Sequence, residues 1–298
     1  MRFLFTKQAV IAILVIVALG VGLFTLIGLY KKAPEAPVPA APVAASPKYE
    51  AIGKSVEGRS IEAYTFGSGA THLVFVGGIH GGYEWNSVLL AYNLKDYLDV
   101  HPEAVPENLS VTVILSANPD AVVKVTGKEG RFTLADVTDD KAVLASARFN
   151  ANGVDLNRNF DCKWQPKSTW QNKTVSAGTK AFSEPEAAAL RDFLVKTEPA
   201  AAVFWHSQAG AVYASQCEDG ILPKTLAIMN VYAKAAGYKA VESFDAYATT
   251  GASEDWLASI GIPAITVELT THETVEWEKN LAGTLALFEY YRRIASQK

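Results

Sequence analysis

The sequence predicts one α/β domain over residues 48–298, with a mostly parallel or mixed twisted sheet flanked by helices. The first observation behind this prediction is that short apolar runs alternate with longer amphipathic runs along this part of the chain. Buried strands interleaved with helices are typical of a sheet that is covered on both faces. The second observation is the length, because about 250 residues can bury one large core.

Four apolar runs are predicted to be buried strands, since each is short and ends at turn residues. These runs are 72–78, 111–118, 202–207 and 264–269. The stretches predicted to be helices are Trp85–Val100, Glu184–Lys196, Leu222–Ala236 and Ser253–Ile260. For the second of these helices we expect Ser183 as the N-cap, with Glu186 completing a capping box.

Residues 1–32 are predicted to be an N-terminal membrane anchor, so that one transmembrane helix precedes the domain. Ala9–Tyr30 is an uncharged apolar run of 22 residues. As a helix it would be about 33 Å long, which is enough to cross the hydrocarbon core. A cleaved signal peptide is the alternative, with cleavage near PVAAS, but its apolar region is typically shorter. We expect a single-pass membrane protein with its short N-terminus inside and its domain extracytoplasmic.

Residues 33–47 form a Pro/Ala-rich linker that contains one charged residue. Proline favours extended chain and removes hydrogen-bond donors, so this segment cannot build a core. It is predicted to be a semi-rigid spacer that holds the domain away from the membrane.

The charge distribution argues against a nucleic acid partner. The net charge is −4, although residues 1–35 carry four cationic side chains against one carboxylate. The rest of the chain is therefore acidic and has no basic stripe. A small molecule or a peptide is the more consistent substrate.

Cys162 and Cys217 are too few for a disulfide scaffold, and their spacing is not that of a zinc ribbon. The residues alone leave two alternatives, one disulfide bridge or two buried thiols. An extracytoplasmic domain lies in an oxidising environment, which favours the bridge. We therefore predict a disulfide between these two cysteines.

Polar clusters occur where four apolar runs end. They are His80 and Glu84 after VFVGG, Asp155–Asn159 within VDLNRN, His206 after AVFW, and Glu268 within AITVEL. Open sheets place their sites at the carboxyl ends of strands. One histidine at such a position is more often a hydrogen-bonded structural residue, but four converging clusters are hard to explain as packing. The clusters therefore predict one active site.

The motifs together resemble the zinc carboxypeptidases of the carboxypeptidase A type, over nearly all of residues 49–298. In chain order they are GGIHGGYEWNS, NPD at 118–120, NGVDLNRNF, WHS, a tyrosine ahead of SEDW, and the late TVEL. The resemblance implies a metallocarboxypeptidase that binds one Zn²⁺ per chain through His80, Glu84 and His206. Catalytic zinc takes three protein ligands and keeps one position open for water, which two imidazoles and a carboxylate satisfy.

The resemblance also assigns roles to other polar residues. Glu268 is implied to be the general base, which takes the proton of a metal-activated water and delivers it to the leaving amine. Arg158 and Asn157 are implied to bind the free carboxylate of the substrate, since a guanidinium pairs with it bidentately. Arg148 would stabilise the oxyanion, and Tyr247 would cover the substrate terminus. Taken alone, Asn157 and Arg158 would also suit a polar turn, Arg148 a surface arginine, and Tyr247 a core or surface tyrosine.

One feature departs from the family pattern, because three residues rather than two separate His80 from Glu84. The histidine ends a predicted strand and the glutamate begins a helix. The Gly81–Gly82 turn between them can absorb the extra residue, since glycine tolerates unusual dihedral angles. The alternative is a displaced Glu84 and a degenerate site.

Glu254 is predicted to determine which peptides are cleaved. It lies two residues before the tryptophan of SEDW, where the resemblance places the floor of the pocket for the C-terminal side chain. A carboxylate there favours a cationic side chain. The implied substrates are peptides ending in a basic residue or in diaminopimelate, including cell-wall peptides. The alternative is that Glu254 faces solvent on its helix.

Two other functions stay open at this point. An aspartoacylase or succinylglutamate desuccinylase has a similar zinc core but cleaves an N-acyl amino acid. The segment from Tyr247 to Trp256 and the long C-terminal part favour the peptidase. A catalytically inactive surface-binding module is the second alternative, and the intact set of predicted site residues argues against it.

Overall fold

A mixed sheet of eight strands forms the centre of the computed structural model, which describes residues 46–295 together with Gln8 and Ile11. In chain order, the strands are β1 Lys48–Lys54, β2 Ser60–Gly67, β3 Thr71–Val76, β4 Leu109–Ile114, β5 Lys167–Trp170, β6 Lys173–Ser176, β7 Ala201–Ser207, β8 Ala211–Ala214, β9 Lys239–Val241 and β10 Ala264–Leu269. The sheet order is β1-β2-β4-β3-β7-β10-β8-β9, and β5 and β6 form a separate hairpin. Strands β4, β3, β7 and β10 are parallel neighbours, which confirms the predicted mixed sheet.

Seven α-helices lie within residues 46–295, and both faces of the sheet are covered by helices. They are α1 Trp85–Val100, α2 Pro119–Thr126, α3 Lys141–Ser146, α4 Pro185–Thr197, α5 Pro223–Ala236, α6 Ser253–Ser259 and α7 Trp277–Ala295. One apolar core packs α1, α5 and α7 on one face, and the other core packs α4 and α6 on the opposite face. Successive residues of β3 alternate between the two cores, as expected for a strand buried on both sides.

The four predicted helices are confirmed to within one residue at each end, but the predicted capping box is wrong. Helix α4 has Glu184 as its N-cap and Pro185 as its first residue. The hydroxyl of Ser183 lies one position too early and donates instead to the Glu184 carboxylate at 2.8 Å. Proline sets this boundary, because it is accommodated in the first turn, where its missing N–H costs nothing.

The predicted transmembrane helix lies outside the described residues, as does nearly all of the predicted linker 33–47. Among the residues that the structure does describe, no helix is long and apolar enough to span a bilayer. The division into an anchor (1–32), a linker (33–47) and a catalytic domain (48–298) therefore stays a prediction.

The predicted disulfide is confirmed, since Cys162 and Cys217 are bonded with their Cα atoms 6.0 Å apart. It joins the loop after Arg158 to the loop after β8, which are separated by 55 residues in the chain. The Cys162 carbonyl also accepts a hydrogen bond from Gly251 N at 2.8 Å. Three loops that surround the candidate site are thereby tied together.

Candidate active site

All nine predicted site residues line one cavity of about 400 Å³ at the carboxyl ends of the central strands. They are His80, Glu84, Arg148, Asn157, Arg158, His206, Tyr247, Glu254 and Glu268. The prediction that the polar clusters converge is therefore correct. The role of each residue stays a prediction, although its position narrows what the side chain can do.

His80, Glu84 and His206 form a buried cluster whose potential ligand atoms lie within 4.8 Å of one another. His80 Nδ1 is 2.7 Å from Glu84 Oε1, and His206 Nδ1 is 2.9 Å from Glu84 Oε2. The two Nδ1 atoms are 3.2 Å apart. Two imidazole nitrogens and both oxygens of one carboxylate therefore face a common point.

This donor set fits a zinc ion. The His80 Nε2 atom faces a carboxylate oxygen of Asp155 at 3.2 Å, so Nε2 carries the proton and Nδ1 keeps its lone pair toward the cluster. Glu84 Oε2 is buried and has no partner of good hydrogen-bond geometry among the described residues. Such an oxygen between two imidazoles is costly unless a proton or a metal ion binds there. Two histidines and one carboxylate are a common ligand set for zinc.

The electrostatics of the cluster favour the binding of a cation, which is either a proton or a metal ion. Burial opposes ionisation of Glu84, yet His80 and His206 hold the pKa of this carboxyl well below its usual range. Burial likewise opposes charge on His206, but the Glu84 carboxylate raises the pKa of this imidazole to about 9. The ionised carboxylate thus attracts a proton onto His206 when no metal is bound, and a metal ion must compete with that proton.

The Gly81–Gly82 turn absorbs the extra residue between His80 and Glu84, as predicted. Gly81 has a φ of +44°, and a Cβ on Gly82 would lie 2.3 Å from the Ala121 carbonyl oxygen. Tyr83 N donates to the His80 carbonyl at 3.0 Å, which closes the turn. Glycine is required here because the backbone is left-handed at one position and too close to α2 at the next.

Asp155 is a functional residue that sequence reasoning did not assign. It is completely buried and accepts from Arg148 Nε at 2.9 Å as well as facing His80 Nε2. Burial alone would raise the pKa of Asp155, but Arg148 and His80 lower this pKa below its ordinary value. A carboxylate behind a ligating histidine orients the ring and raises its basicity. The signal available in the sequence was an aspartate between two apolar residues in VDLNRN.

Arg148 lies beside the metal-ligand cluster rather than on the surface. Its Nη1 is 3.3 Å from His80 Nδ1 and 3.6 Å from Glu84 Oε1. Its guanidinium also stacks on Trp170, 4.7 Å from the ring centroid. Trp170 was missed in the sequence because it belongs to the β5–β6 hairpin, far from any motif. The buried guanidinium is placed to stabilise negative charge that develops next to the ligands.

Arg158 and Asn157 are held rigidly at a second point of the cavity wall. Arg158 Nη1 donates to its neighbour's carbonyl, Asn157 O, at 2.6 Å, and Nε and Nη2 donate to Thr169 O at 3.2 and 3.1 Å. The Asn157 Oδ1 atom accepts from Ser253 N and Oγ at 2.8 and 2.9 Å. These contacts satisfy part of each side chain and keep both at the cavity, where a guanidinium can pair with a carboxylate.

Glu254 faces the cavity and not bulk solvent. Its Oε1 is 3.5 Å from Asn157 Nδ2, and its Oε2 is 2.9 Å from Ser253 Oγ. Burial together with the Glu254 charge raises the pKa of the adjacent Asp255 to about 7. Two carboxyl groups therefore lie at this end of the cavity, in the same lining as the Arg158 guanidinium.

Tyr247 lines the cavity within a group of aromatic rings. Its ring centroid is 4.9 Å from that of Phe244, which in turn lies 5.7 Å from Tyr213. The tyrosine is half-buried on the loop between β9 and α6. Tyr247 therefore lies where a residue that covers the substrate terminus would have to be.

Glu268 stands next to His206, because the two residues are paired in register on the parallel strands β10 and β7. Its Oε2 atom is buried and has no hydrogen-bond partner in the described part of the chain. Burial raises the pKa of Glu268 to about 8, and the neighbouring His206 opposes this rise. Positive charge bound at the cluster would favour the ionised carboxylate further. A carboxylate with a free oxygen and an elevated pKa is suited to accept a proton.

The fold and this cluster define a class of protein, the zinc-dependent hydrolases with a metal site at the carboxyl edge of a mixed sheet. Comparison with known families supports this class, because the family model described as zinc carboxypeptidase matches residues 45–285. The chain belongs to the zinc carboxypeptidase family, as the resemblance predicted.

Relatives and solved structures agree with this assignment. A protein named gamma-D-glutamyl-L-diamino acid endopeptidase 1, from Lysinibacillus sphaericus, is 23% identical over 73% of this chain and 59% of its own length. The murein-tripeptide amidase from Escherichia coli O157 has a similar structure, with a TM-score of 0.56 and 23% identity over 84% of this chain and 94% of that one. Bovine thrombin-activatable fibrinolysis inhibitor gives a TM-score of 0.63 and 20% identity over 85% and 90%.

These similarities have different weight. At such identities, the solved structures show a shared fold and nothing finer. The chain spans less than two thirds of the length of the curated relatives it matches. The activity and the substrate therefore have to be argued from the site itself.

Proposed function

We propose that the protein is a zinc-dependent metallocarboxypeptidase that hydrolyses a C-terminal peptide bond. The observation that carries this proposal is that the metal cluster, Glu268 and Arg158 line one cavity. A bound zinc ion would lower the pKa of a water molecule and polarise the scissile carbonyl. An exopeptidase needs, in addition, a group that recognises the free carboxylate, and Arg158 supplies it.

The residues of the chain divide the remaining work. Glu268 accepts the proton of the attacking water at its unpartnered Oε2 and transfers it to the leaving amine. Arg148 donates hydrogen bonds to the developing oxyanion from its position beside His80 and Glu84. Arg158 and Asn157 hold the substrate carboxylate, while Tyr247 covers the terminus.

The proposed substrates are peptides that end in a basic residue or in diaminopimelate, including cell-wall peptides. Glu254 supports this, because it places a carboxylate in the cavity beside Asn157. Two of the similar proteins carry names that refer to murein peptides or to a diamino acid. Diaminopimelate has a distal amine, which the Glu254 carboxylate would attract.

Glu254 should set the preference for a cationic C-terminal side chain. We expect the zinc-loaded protein to cleave benzoyl-glycyl-lysine with a kcat/KM roughly 10- to 100-fold above that for benzoyl-glycyl-leucine, since a charge-assisted contact contributes about 1.5–3 kcal/mol. In Glu254→Gln, this ratio should fall toward one. Glu242→Gln, at an exposed position outside the cavity lining, serves as the matched control.

Two results would contradict this. A wild-type preference for leucine, or an unchanged ratio in Glu254→Gln, would show that Glu254 does not determine specificity. Hydrolysis of N-acyl amino acids in place of these dipeptides would favour the amidohydrolase alternative. Zinc bound without hydrolysis of either class would favour the inactive binding module.

We propose further that the chain is a single-pass membrane protein with its domain extracytoplasmic, on the basis of the apolar run 9–30. The full-length chain should sediment with membranes, resist extraction by high salt and be released by detergent, because the run would bury about 20 apolar residues in lipid. Protease added to intact spheroplasts should digest the domain. Recovery of the full-length chain in the soluble fraction, or protection from the protease, would refute the placement.

A further inference from the structure

His272 is a third histidine of the cavity, and the mechanism proposed above does not use it. It lies on the loop after β10, four residues beyond Glu268, and its half-buried ring lines the cavity. The ring centroid is 4.6 Å from that of Tyr83, whose own centroid is 5.2 Å from Trp170. Tyr83, Trp170 and His272 thus form an aromatic wall beside the metal ligands.

A chain of hydrogen bonds determines which nitrogen of His272 carries the proton. It starts at Asn86, which is completely buried and donates from Nδ2 to the carbonyl oxygens of Thr271 and Thr274 at 2.7 and 2.9 Å. Both acceptors are carbonyls, so the atom facing them must be the amide nitrogen. The Oδ1 atom of Asn86 is then available only as an acceptor.

The second link is Ser207, which lies next to the metal ligand His206. Its hydroxyl is 3.0 Å from Asn86 Oδ1 and 2.7 Å from His272 Nδ1. Because Oδ1 can only accept, the single hydroxyl proton goes to Asn86, and Ser207 Oγ must accept from His272. The proton of the neutral ring is therefore on Nδ1, and Nε2 carries a lone pair.

The Nε2 atom of His272 has no hydrogen-bond partner among the described residues. It also differs from the unpartnered atoms of the protein interior, because it is not fully buried. Burial lowers the pKa of His272 below its ordinary value, so the ring is neutral near neutral pH. The result is an oriented acceptor on a cavity wall, held from behind by two buried residues. An acceptor arranged in this way is suited to receive a donor from a ligand.

His272 is separate from the group that would hold the substrate terminus. Ser253 lies between Asn157 and Glu254, and Arg158 donates to the Asn157 carbonyl. None of these three side chains shares a hydrogen bond with Ser207 or His272 in the described part of the chain. A peptide whose carboxylate and terminal side chain occupy that group must present its acyl portion elsewhere in the cavity. The first hydrogen-bond donor of the acyl portion is the N–H of the penultimate residue.

We infer that His272 is a further substrate-binding residue, whose Nε2 accepts a hydrogen bond from the penultimate N–H on the acyl side of the scissile bond. This inference rests on the proposed peptidase function and adds a specificity element to it. It predicts that the protein distinguishes a peptide N–H, which donates a hydrogen bond, from a group of the same shape that has no proton to donate.

The test compares benzoyl-glycyl-lysine with benzoyl-glycolyl-lysine, in which an ester oxygen replaces the glycyl N–H without added bulk. The zinc-loaded wild type should favour the amide in kcat/KM by roughly 5- to 30-fold, the value of one hydrogen bond of about 1–2 kcal/mol. In His272→Phe, which keeps a ring against Tyr83 but has no acceptor, the ratio should fall to within about twofold of one. His101→Phe, an exposed histidine at the end of α1, should keep the wild-type ratio. An unchanged ratio in His272→Phe overturns the inference.

A second measurement does not depend on turnover or on the folding of the phenylalanine variant. In ¹⁵N-histidine-labelled, zinc-loaded Glu268→Gln protein, the His272 ring should be protonated at Nδ1, and benzoyl-glycyl-lysine should shift its Nε2 resonance more than the ester does. The opposite tautomer, or an Nε2 resonance that neither ligand moves, overturns the inference. A shift with the amide alone, combined with a zinc-loaded wild type that hydrolyses neither compound, would support His272 while contradicting the proposed peptidase activity.

Discussion

Replacing Glu268 by glutamine should slow hydrolysis of benzoyl-glycyl-lysine by a factor of about 10² or more, with zinc still bound. Glutamine keeps the shape of the side chain but cannot take a proton. The effect should be this large because Oε2 of Glu268 is buried without a partner, so that no other protein group has to be displaced before the carboxylate acts. The measurement is kcat/KM alongside the zinc content of the same preparation.

Glu278→Gln provides the matched control, since it makes the same chemical change at an exposed position in the first turn of α7. Its rate should equal that of the wild type. Turnover near the wild-type rate in metal-loaded Glu268→Gln would mean that the general base lies elsewhere. A rate loss that accompanies loss of zinc would instead assign Glu268 to the stability of the metal site.

Replacing His206 by alanine should abolish stoichiometric zinc binding and, with it, activity. The substitution removes one of the two imidazoles at the cluster and leaves Glu84, a fully buried carboxylate, with a single histidine beside it. Loss of a partner outside the ligand shell typically costs about 10- to 100-fold in metal affinity, and loss of a ligand should cost more. The measurement is the zinc content after dialysis against a weak chelator.

The stability of the variant gives an independent readout. A metal that binds only the folded protein raises its melting temperature. Added zinc should therefore stabilise the wild type and His101→Ala, whose exposed imidazole is remote from the cluster, but not His206→Ala. Full zinc occupancy in His206→Ala would refute the ligand assignment.

Much of the fold could be predicted because the strands and helices have local signatures. Strand β10 is apolar except for Thr266 and Glu268. Helix α1 begins and ends at the residues that its pattern predicted. Apolar periodicity reports which side of an element is buried, and this is a local property of the chain. The capping box at Ser183 failed for an equally local reason, because a proline two residues later moved the start of α4.

The candidate site was predictable where a polar residue interrupts or ends an apolar run. His80, His206 and Glu268 are of this kind, and the structure brings them into one cavity. Trp170, which stacks on Arg148, has no such signature, since it lies on a short hairpin outside the main sheet. Its contact with the arginine depends on how that hairpin packs.

By itself, the sequence determined the class of fold, the residue types at the strand ends and the family to which the chain belongs. Tertiary structure alone decided that Asp155 contacts His80, which lies 75 residues away in the chain. It also decided the network in which Asn86 contacts Thr271, 185 residues away. The physical reason is that burial follows from local patterns, whereas a hydrogen bond needs two groups within about 3 Å. That proximity is created when the loops of distant strands meet at one edge of the sheet, and it is what orients the lone pair of His272 toward the cavity.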